Sequence, residues 1–323
     1  MQGAVGLSKS FSKLTKLKEH LQDLTEEEAY LLTRSMLTGE LSIPKSSAFL
    51  TAMRIKGETH EELMGVMRAL KEIRKPLSGT SDLDLSLNYD GKNKSLYILP
   101  SAVFIVSECG LRLTYHYGDR VPAKEGVTLK EVLDKVVSEL KIDMPLRTTH
   151  QREFAPELYN LMPLRRELGF RTFINVLEKL LNPFNSPRVV TSLFHKPYFK
   201  KMSELCSSLN FKSYTLIKGL EGGVEPLTDR PTYYSKNSER VESFNPKGKG
   251  IKLPKDVNTD DVLGSSVDIN LKVLKGNAKA EFLNWALLSA GFLIFSADMS
   301  NTISEGFRKA QECYSRLLRS IEG

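Results

Sequence analysis

Apolar residues recur at three- and four-residue steps through the first quarter of the chain, and at two-residue steps only beyond position 82. Over 8–21, Phe11, Leu14, Leu17 and Leu21 fall on one helical face. Thr25 and Glu28 have capping-box spacing, in which a hydroxyl and a carboxylate satisfy two orphan N–H groups reciprocally. They open a helix that closes near Gly39. Pro44 suits the first turn of a third helix ending at Gly57. Thr59 and Glu62 repeat the capping pattern for a fourth, which stops before Pro76.

The period then changes. Residues 82–87 alternate polar and apolar side chains, as a half-buried strand does, and 111–115, 188–193 and 214–218 also read as strands. Helices are expected over 96–109, 129–140, 157–181 and 197–209, with a final pair from about 278 to 321. Alternation of this kind implies a mostly parallel central sheet covered by helices. The expected fold class is therefore α/β, with a small N-terminal all-helical domain at 1–76 and a larger α/β domain at 77–323. Helices from about 155–181 are expected to pack on the helical domain. Residues 221–260 lack helical periodicity and read as irregular, and no internal repeat is visible.

The 323 residues are 41% hydrophobic and 26% charged, an ordinary globular balance. No apolar run approaches the roughly 18 residues of a membrane span. The longest, 285–297, is interrupted by Ser289 and Gly291 and reads as a buried helix. The N-terminus has no apolar signal region, so a cytoplasmic protein without a membrane role is expected. Cys109, Cys206 and Cys313 are far apart and lack metal-ligand spacing, which points to reduced thiols and no zinc. A net charge of +7 allows a polyanionic partner.

The chemistry concentrates at 85–94, where a strand, an Asp90-Gly91 turn and a helix follow one another. A helix start presents unpaired N–H groups and partial positive charge to a phosphate. Close backbone approach normally requires glycine, and only Gly91 remains here.

Several segments together resemble the anthranilate phosphoribosyltransferase family, with its nucleoside-phosphorylase-like fold. They are LMPLRRELGFRTFINVLEKLLNP at 161–183, AFLTAMRIKG ending at Gly57, and His116-Tyr117-Gly118-Asp119-Arg120 followed by Lys124-Glu125-Gly126. Collinear echoes run from about 25 to 315. The resemblance implies that family's fold, a phosphoribosyl diphosphate site, and a homodimer through the N-terminal helices. It makes Arg165 the acceptor-carboxylate arginine and retains Arg120, Lys124, Asn182-Pro183 and Glu225. The departures are as informative. The family's GTGGD diphosphate loop falls at 86–90 and keeps only Asp90. Its NxST element near 95–101 reads SLYILPS, and its histidine near the acceptor is Ala155. Its magnesium-binding Asp-Glu pair reads Val224-Glu225, and valine offers no oxygen to a hard cation. Asn88-Tyr89-Asp90-Gly91 and KGLEGG at 218–223 resemble a divergent branch that lacks the signature loop and is associated with nucleic-acid binding.

Each candidate has an ordinary structural role beside the functional one. Arg165 either faces the cleft or pairs with a carboxylate on its helix. Arg120 and Lys124 either bind anions or are solvated loop charges, and His116 reads as a hydrogen-bonded structural residue. Glu221 and Glu225 either hold a metal or are solvated. Lys247, Lys249, Lys252 and Lys255, two or three residues apart, can follow one run of phosphates or merely solubilise a loop. Lys9, Lys13 and Lys16 share a helical face, and Lys196, Lys200 and Lys201 flank Tyr198 and Phe199, rings that can stack on bases or fill a core.

The sequence therefore predicts a protein that lacks the standard transferase activity and binds single-stranded nucleic acid without sequence preference. Asn88, Tyr89, Gly91, Lys92, Lys94, Arg120, Lys124 and Arg165 would form the cleft and contact phosphate. Lys200, Lys201, Lys247, Lys249, Lys252 and Lys255 would extend that surface, and Tyr89, Tyr233 or Tyr234 would stack on bases. The alternatives are a phosphoribosyltransferase with another acceptor and rewired phosphate ligands, needing magnesium only if that activity is retained, and a small-molecule sensor using the same cleft.

Overall fold

The computed structural model describes residues 2–16 and 20–322. The N-terminal domain is a small helical bundle of α1 (Gln2–Leu14), α2 (Glu26–Leu37), α3 (Ile43–Lys56) and α4 (His60–Ile73). Both capping boxes form: Thr25 and Thr59 accept from the N–H groups of Glu28 and Glu62, whose carboxylates reach back. Leu17 lies outside the described residues.

The larger domain is built on a seven-stranded sheet ordered β3-β2-β1-β4-β5-β6-β7. Its strands are β1 (Leu83–Ser86), β2 (Leu113–Tyr117), β3 (Arg147–His150), β4 (Arg188–Ser192), β5 (Ser213–Ile217), β6 (Thr232–Lys236) and β7 (Glu242–Phe244). The first five run parallel, and β6 and β7 are antiparallel to their neighbours. Successive side chains on a strand point to opposite faces, so neighbouring residues feed two cores. Val190 and Ile217 join α5 (Leu99–Glu108), α6 (Leu129–Leu140), α12 (Val262–Leu274), α13 (Ala280–Ser296) and α14 (Ile303–Glu322) on one face. Val189 and Leu216 join the N-terminal bundle and α11 (Tyr198–Ser208) on the other. Phe49 of α3 meets Phe173 edge-on at 5.5 Å, tying 154–181 to that bundle.

Several expectations need correction. Residues 157–181 are not one helix: after the short α7 (Gln151–Phe154) come α8 (Pro156–Tyr159), α9 (Met162–Leu168) and α10 (Phe173–Leu177), with a 3-10 turn after them. Gly169, at φ 67°, ends the middle piece, and Thr172 with Asn175 caps the next. The stretch 221–260 contains β6 and β7, and α12 had no counterpart in the sequence reading. Cys109 and Cys313, expected as free thiols, form a disulfide between the end of α5 and α14, helices that pack together although 204 residues separate the cysteines. Cys206 alone is free, and burial pushes its thiol up to about 12. Among the described residues no helix is long and apolar enough to cross a membrane.

Candidate functional site

The strand order reverses direction between β1 and β4, because β2 and β3 extend the sheet one way and β5 the other. Ligands of open α/β sheets lodge outside the carboxyl ends of strands at such a point. The segments leaving β1 and β4 there are 87–91 and 193–195.

The first segment is held from within. Asn88 Nδ2 donates to Gly222 O at 2.9 Å and to Ser192 Oγ at 3.2 Å. Tyr89 is buried and its hydroxyl is 2.5 Å from His116 Nδ1. His116 Nε2 donates to Lys179 O at 3.0 Å, which leaves Nδ1 to accept from Tyr89. His116 is thus the structural residue expected, and Tyr89, expected on a base, is unavailable for stacking. Gly91 has φ 66°, and a Cβ there would lie 2.5 Å from the carbonyl oxygens of Gly126 and Val127. This glycine serves the packing of its own loop.

An internal anion, Glu221, and an internal cation, Lys92, line the space beside this turn. The N–H groups of Asn93, Lys94 and Ser95 converge on the Glu221 carboxylate at 2.9, 3.1 and 3.0 Å, and Ser95 Oγ adds a bond of 2.8 Å. Consecutive N–H groups arranged this way make an anion nest, and a side chain fills it. Burial acts to raise the Glu221 pKa, but these donors and Lys124 outweigh it and hold the carboxyl below its usual range. Lys92 is 1% exposed, so it is not the phosphate ligand expected. Its Nζ lies 2.8 Å from Glu225 Oε1 and 3.2 Å from Leu96 O, and 4.3 Å from the centroid of the Tyr97 ring. Burial lowers the Lys92 pKa, while Glu225 opposes the shift.

The proposed metal pair therefore needs correction too. Glu221 is committed to the nest and Glu225 Oε1 to an ammonium, while Glu225 Oε2 has no partner among the described residues. The space bounded by Lys92, Tyr97 and Glu221 is about 10 Å³, barely room for one water. These residues do not fit magnesium, which takes near-octahedral oxygen coordination and keeps several waters. No other group of three or more His, Cys, Asp or Glu among the described residues could hold a metal.

Arg165 is buried and forked onto Glu178, at 2.8 and 2.7 Å, so it is neutralised rather than aimed at an acceptor carboxylate. Arg120 pairs with Glu131 at 2.6 Å on the start of α6. Lys124 does reach the site: its Nζ donates to Glu221 O at 3.1 Å and Gly91 O at 3.3 Å. Lys94 contributes its N–H to the nest, and its side chain is exposed.

The other basic residues divide. Lys201 donates to Glu58 O at 2.5 Å and pairs with its carboxylate, and Lys13 pairs with Glu28. Lys9, Lys16 and Lys200 are exposed, whereas Phe199 is core. Tyr233 lies under Lys196, and Tyr234 bonds Glu242 and packs on Phe292 and Phe295, so neither ring is presented for stacking. Lys247, Lys249, Lys252 and Lys255 are exposed and form no ion pair among the described residues. Three of the four, Lys247, Lys252 and Lys255, line an open groove of about 1040 Å³ together with Arg230, Lys279 and Phe282. Sequence reasoning missed Arg230 and Lys279, which only β6 and α13 bring to that groove.

Sequence reasoning also missed Lys179. It lines a cavity of about 210 Å³ at the switch point with Asp90, Arg171 and Phe194. Burial pushes its ammonium down to about 8, and its Nζ donates to Ser192 O at 2.6 Å.

Comparison with known proteins places this geometry. Residues 12–73 match the helical bundle domain of a glycosyl transferase family, and residues 118–316 match the same family's a/b domain. An uncharacterised protein of Aquifex aeolicus is 52% identical over 95% of this chain and 98% of its own length. The anthranilate phosphoribosyltransferase of Geobacillus sp. is 27% identical, covering 90% of this chain and 89% of its own. The crystal structure of anthranilate phosphoribosyltransferase from Thermus thermophilus superposes with a TM-score of 0.78 at 23% identity, covering 98% of both chains, a likeness of fold. With both domains matched in order, the chain belongs to the anthranilate phosphoribosyltransferase-like glycosyl transferase family.

Proposed function

We propose that this protein does not transfer phosphoribose to anthranilate and instead binds single-stranded nucleic acid, without sequence preference, through the groove bordered by 247–255. The observation that carries the reading is the contrast between two sets of cations. Those of the former cleft, Lys92 and Arg165, are spent on internal carboxylates, whereas Lys247, Lys249, Lys252 and Lys255 have none. Phosphoribosyl transfer depends on donors and a metal positioned around the phosphates. Each lost charge-assisted hydrogen bond removes roughly 1.5–3 kcal/mol of that stabilisation.

The groove offers the ammonium groups of Lys247, Lys252 and Lys255, five and three residues apart along one segment, and the ring of Phe282 in its lining. Exposed Ile43 and Ile55 on α3 support a homodimer through the N-terminal helices, which would double the basic surface. The location that goes with this reading is the cytoplasm. Fluorescence anisotropy with a labelled oligonucleotide across a salt series tests it. Contact with four phosphates gives a log–log slope of about −3 for single strands. Lys252→Glu with Lys255→Glu removes binding. Absence of binding at low salt, or an unchanged affinity in that double variant, defeats the reading. Saturable heat with phosphoribosyl diphosphate and magnesium would favour transfer to another acceptor instead.

A further inference from the structure

The switch-point cavity lies apart from the groove, and its chemistry is unused by the proposed binding. Its walls combine apolar side chains, Phe194, Leu193, Val176 and Met202, with polar ones. Two polar groups in it are incompletely satisfied. Lys179 is 3% exposed and has one hydrogen bond, to a carbonyl, and no carboxylate within ion-pair distance among the described residues. Asp90 is 3% exposed: Arg171 engages its Oδ2, with Nε at 2.8 Å, and its Oδ1 has no partner. A buried amine without a counter-ion and a buried carboxylate oxygen without a donor thus border one space.

We propose that Lys179 forms a reversible imine with a small carbonyl compound seated in this cavity. An amine buried as Lys179 is loses its proton more readily than an exposed one, and the neutral amine is the nucleophile. Lys179 Nζ adds to the carbonyl carbon, giving a carbinolamine. Loss of water then forms the C=N bond, with no oxidant or reductant involved. The protonated imine keeps a positive charge in the cavity that Asp90 also lines, its Oδ1 without a partner among the described residues. A space of about 210 Å³ is below the roughly 300–1,000 Å³ of drug-sized sites, so one ring and its carbonyl fill it. Exposed Arg54 also lines the site and forms no ion pair among the described residues. The fitting class is an aromatic or cyclic aldehyde or ketone with an anionic substituent. This inference is independent of the nucleic-acid reading.

The test is trapping with cyanoborohydride in the presence of 4-formylbenzoate, read lysine by lysine by mass spectrometry. Lys247 and Lys252 of the same molecule serve as exposed references. Lys179 is expected to label at least tenfold faster than they do at pH 7, with the neutral-amine dependence of its rate half-risen near pH 8 and levelling off above it. The uncharged 4-methylbenzaldehyde labels more slowly. Val176→Trp fills the cavity, keeps the Lys179 amine itself and abolishes the labelling, while oligonucleotide binding persists. Lys179 labelling no faster than the references, or unaffected by Val176→Trp, overturns the proposal. Should that variant fail to fold, competition by unreactive benzoate in the wild-type protein takes its place, and failure to slow labelling is equally fatal.

Discussion

Lys92 Nζ lies 2.8 Å from Glu225 Oε1, and both side chains are closed off from solvent. A tethered ammonium next to a carboxylate does locally what a bound cation would do, without needing a ligand. Breaking such a pair from one side leaves a buried charge uncompensated. Lys92→Met should therefore cost about 3–5 kcal/mol in urea denaturation. The double change with Glu225→Met should regain most of the loss. Millimolar magnesium should leave the wild-type melting temperature unchanged, and a clear rise would contradict the internal-cation account.

Glu221 makes a complementary prediction for anions. Glu221→Ala frees the N–H groups of Asn93, Lys94 and Ser95. The variant should gain calorimetric binding of pyrophosphate that the wild type lacks. The pH dependence follows from the direction of the shift. The folded-state pKa is depressed below the ordinary 4.5, so the carboxylate's contribution is present above that value and lost as pH falls through the folded one. The stability difference between wild type and variant should accordingly shrink on acidification below about 4.5. A difference that is flat there would count against the nest.

Lys179 gives a slope of the same sign in a more alkaline window. Its folded pKa, about 8, lies below the ordinary 10.5, so between those values the unfolded chain holds more protons. Stability should then rise with pH across this window, by about 3 kcal/mol as an order of magnitude. Lys179→Met should remove that rise while other lysines keep theirs. Denaturation at pH 7.5 and 10 in both proteins provides the check.

The disulfide predicts a thiol count. Under denaturing, non-reducing conditions one thiol, Cys206, should react, against three after reduction. Closing a loop of this length restricts the unfolded chain, and the chain-entropy argument puts the stabilisation near 5 kcal/mol at most. Reduction should lower the melting temperature, and three reactive thiols without reductant would show the bridge to be absent.

Local signals carried much of the fold. Thr25-Glu28 and Thr59-Glu62 define helix starts because a capping box is satisfied within four residues. The 129–140 helix was legible because Leu129, Val132, Leu133 and Val136 form a stripe that is buried in the structure. By contrast, β6 and β7 were hidden in a segment rich in charge and serine, because their place is set by pairing with β5 rather than by their own pattern. The candidate site was legible as a location, the junction at 86–95, but less so as chemistry. Arg165, Lys92 and Tyr89 look like ligand-binding residues in a linear reading, and each is answered by a partner at least 13 residues away: Glu178, Glu225 and His116.

By itself, the sequence determined the class of fold, the helical start and the family, because periodicity, capping and motif spacing are local properties. Only the tertiary structure decided which charges remain available to a ligand. Charge availability depends on what lies within a few ångströms in space. Folding placed Glu221 on the nest and Glu225 on Lys92, and left the lysines of 247–255 facing solvent.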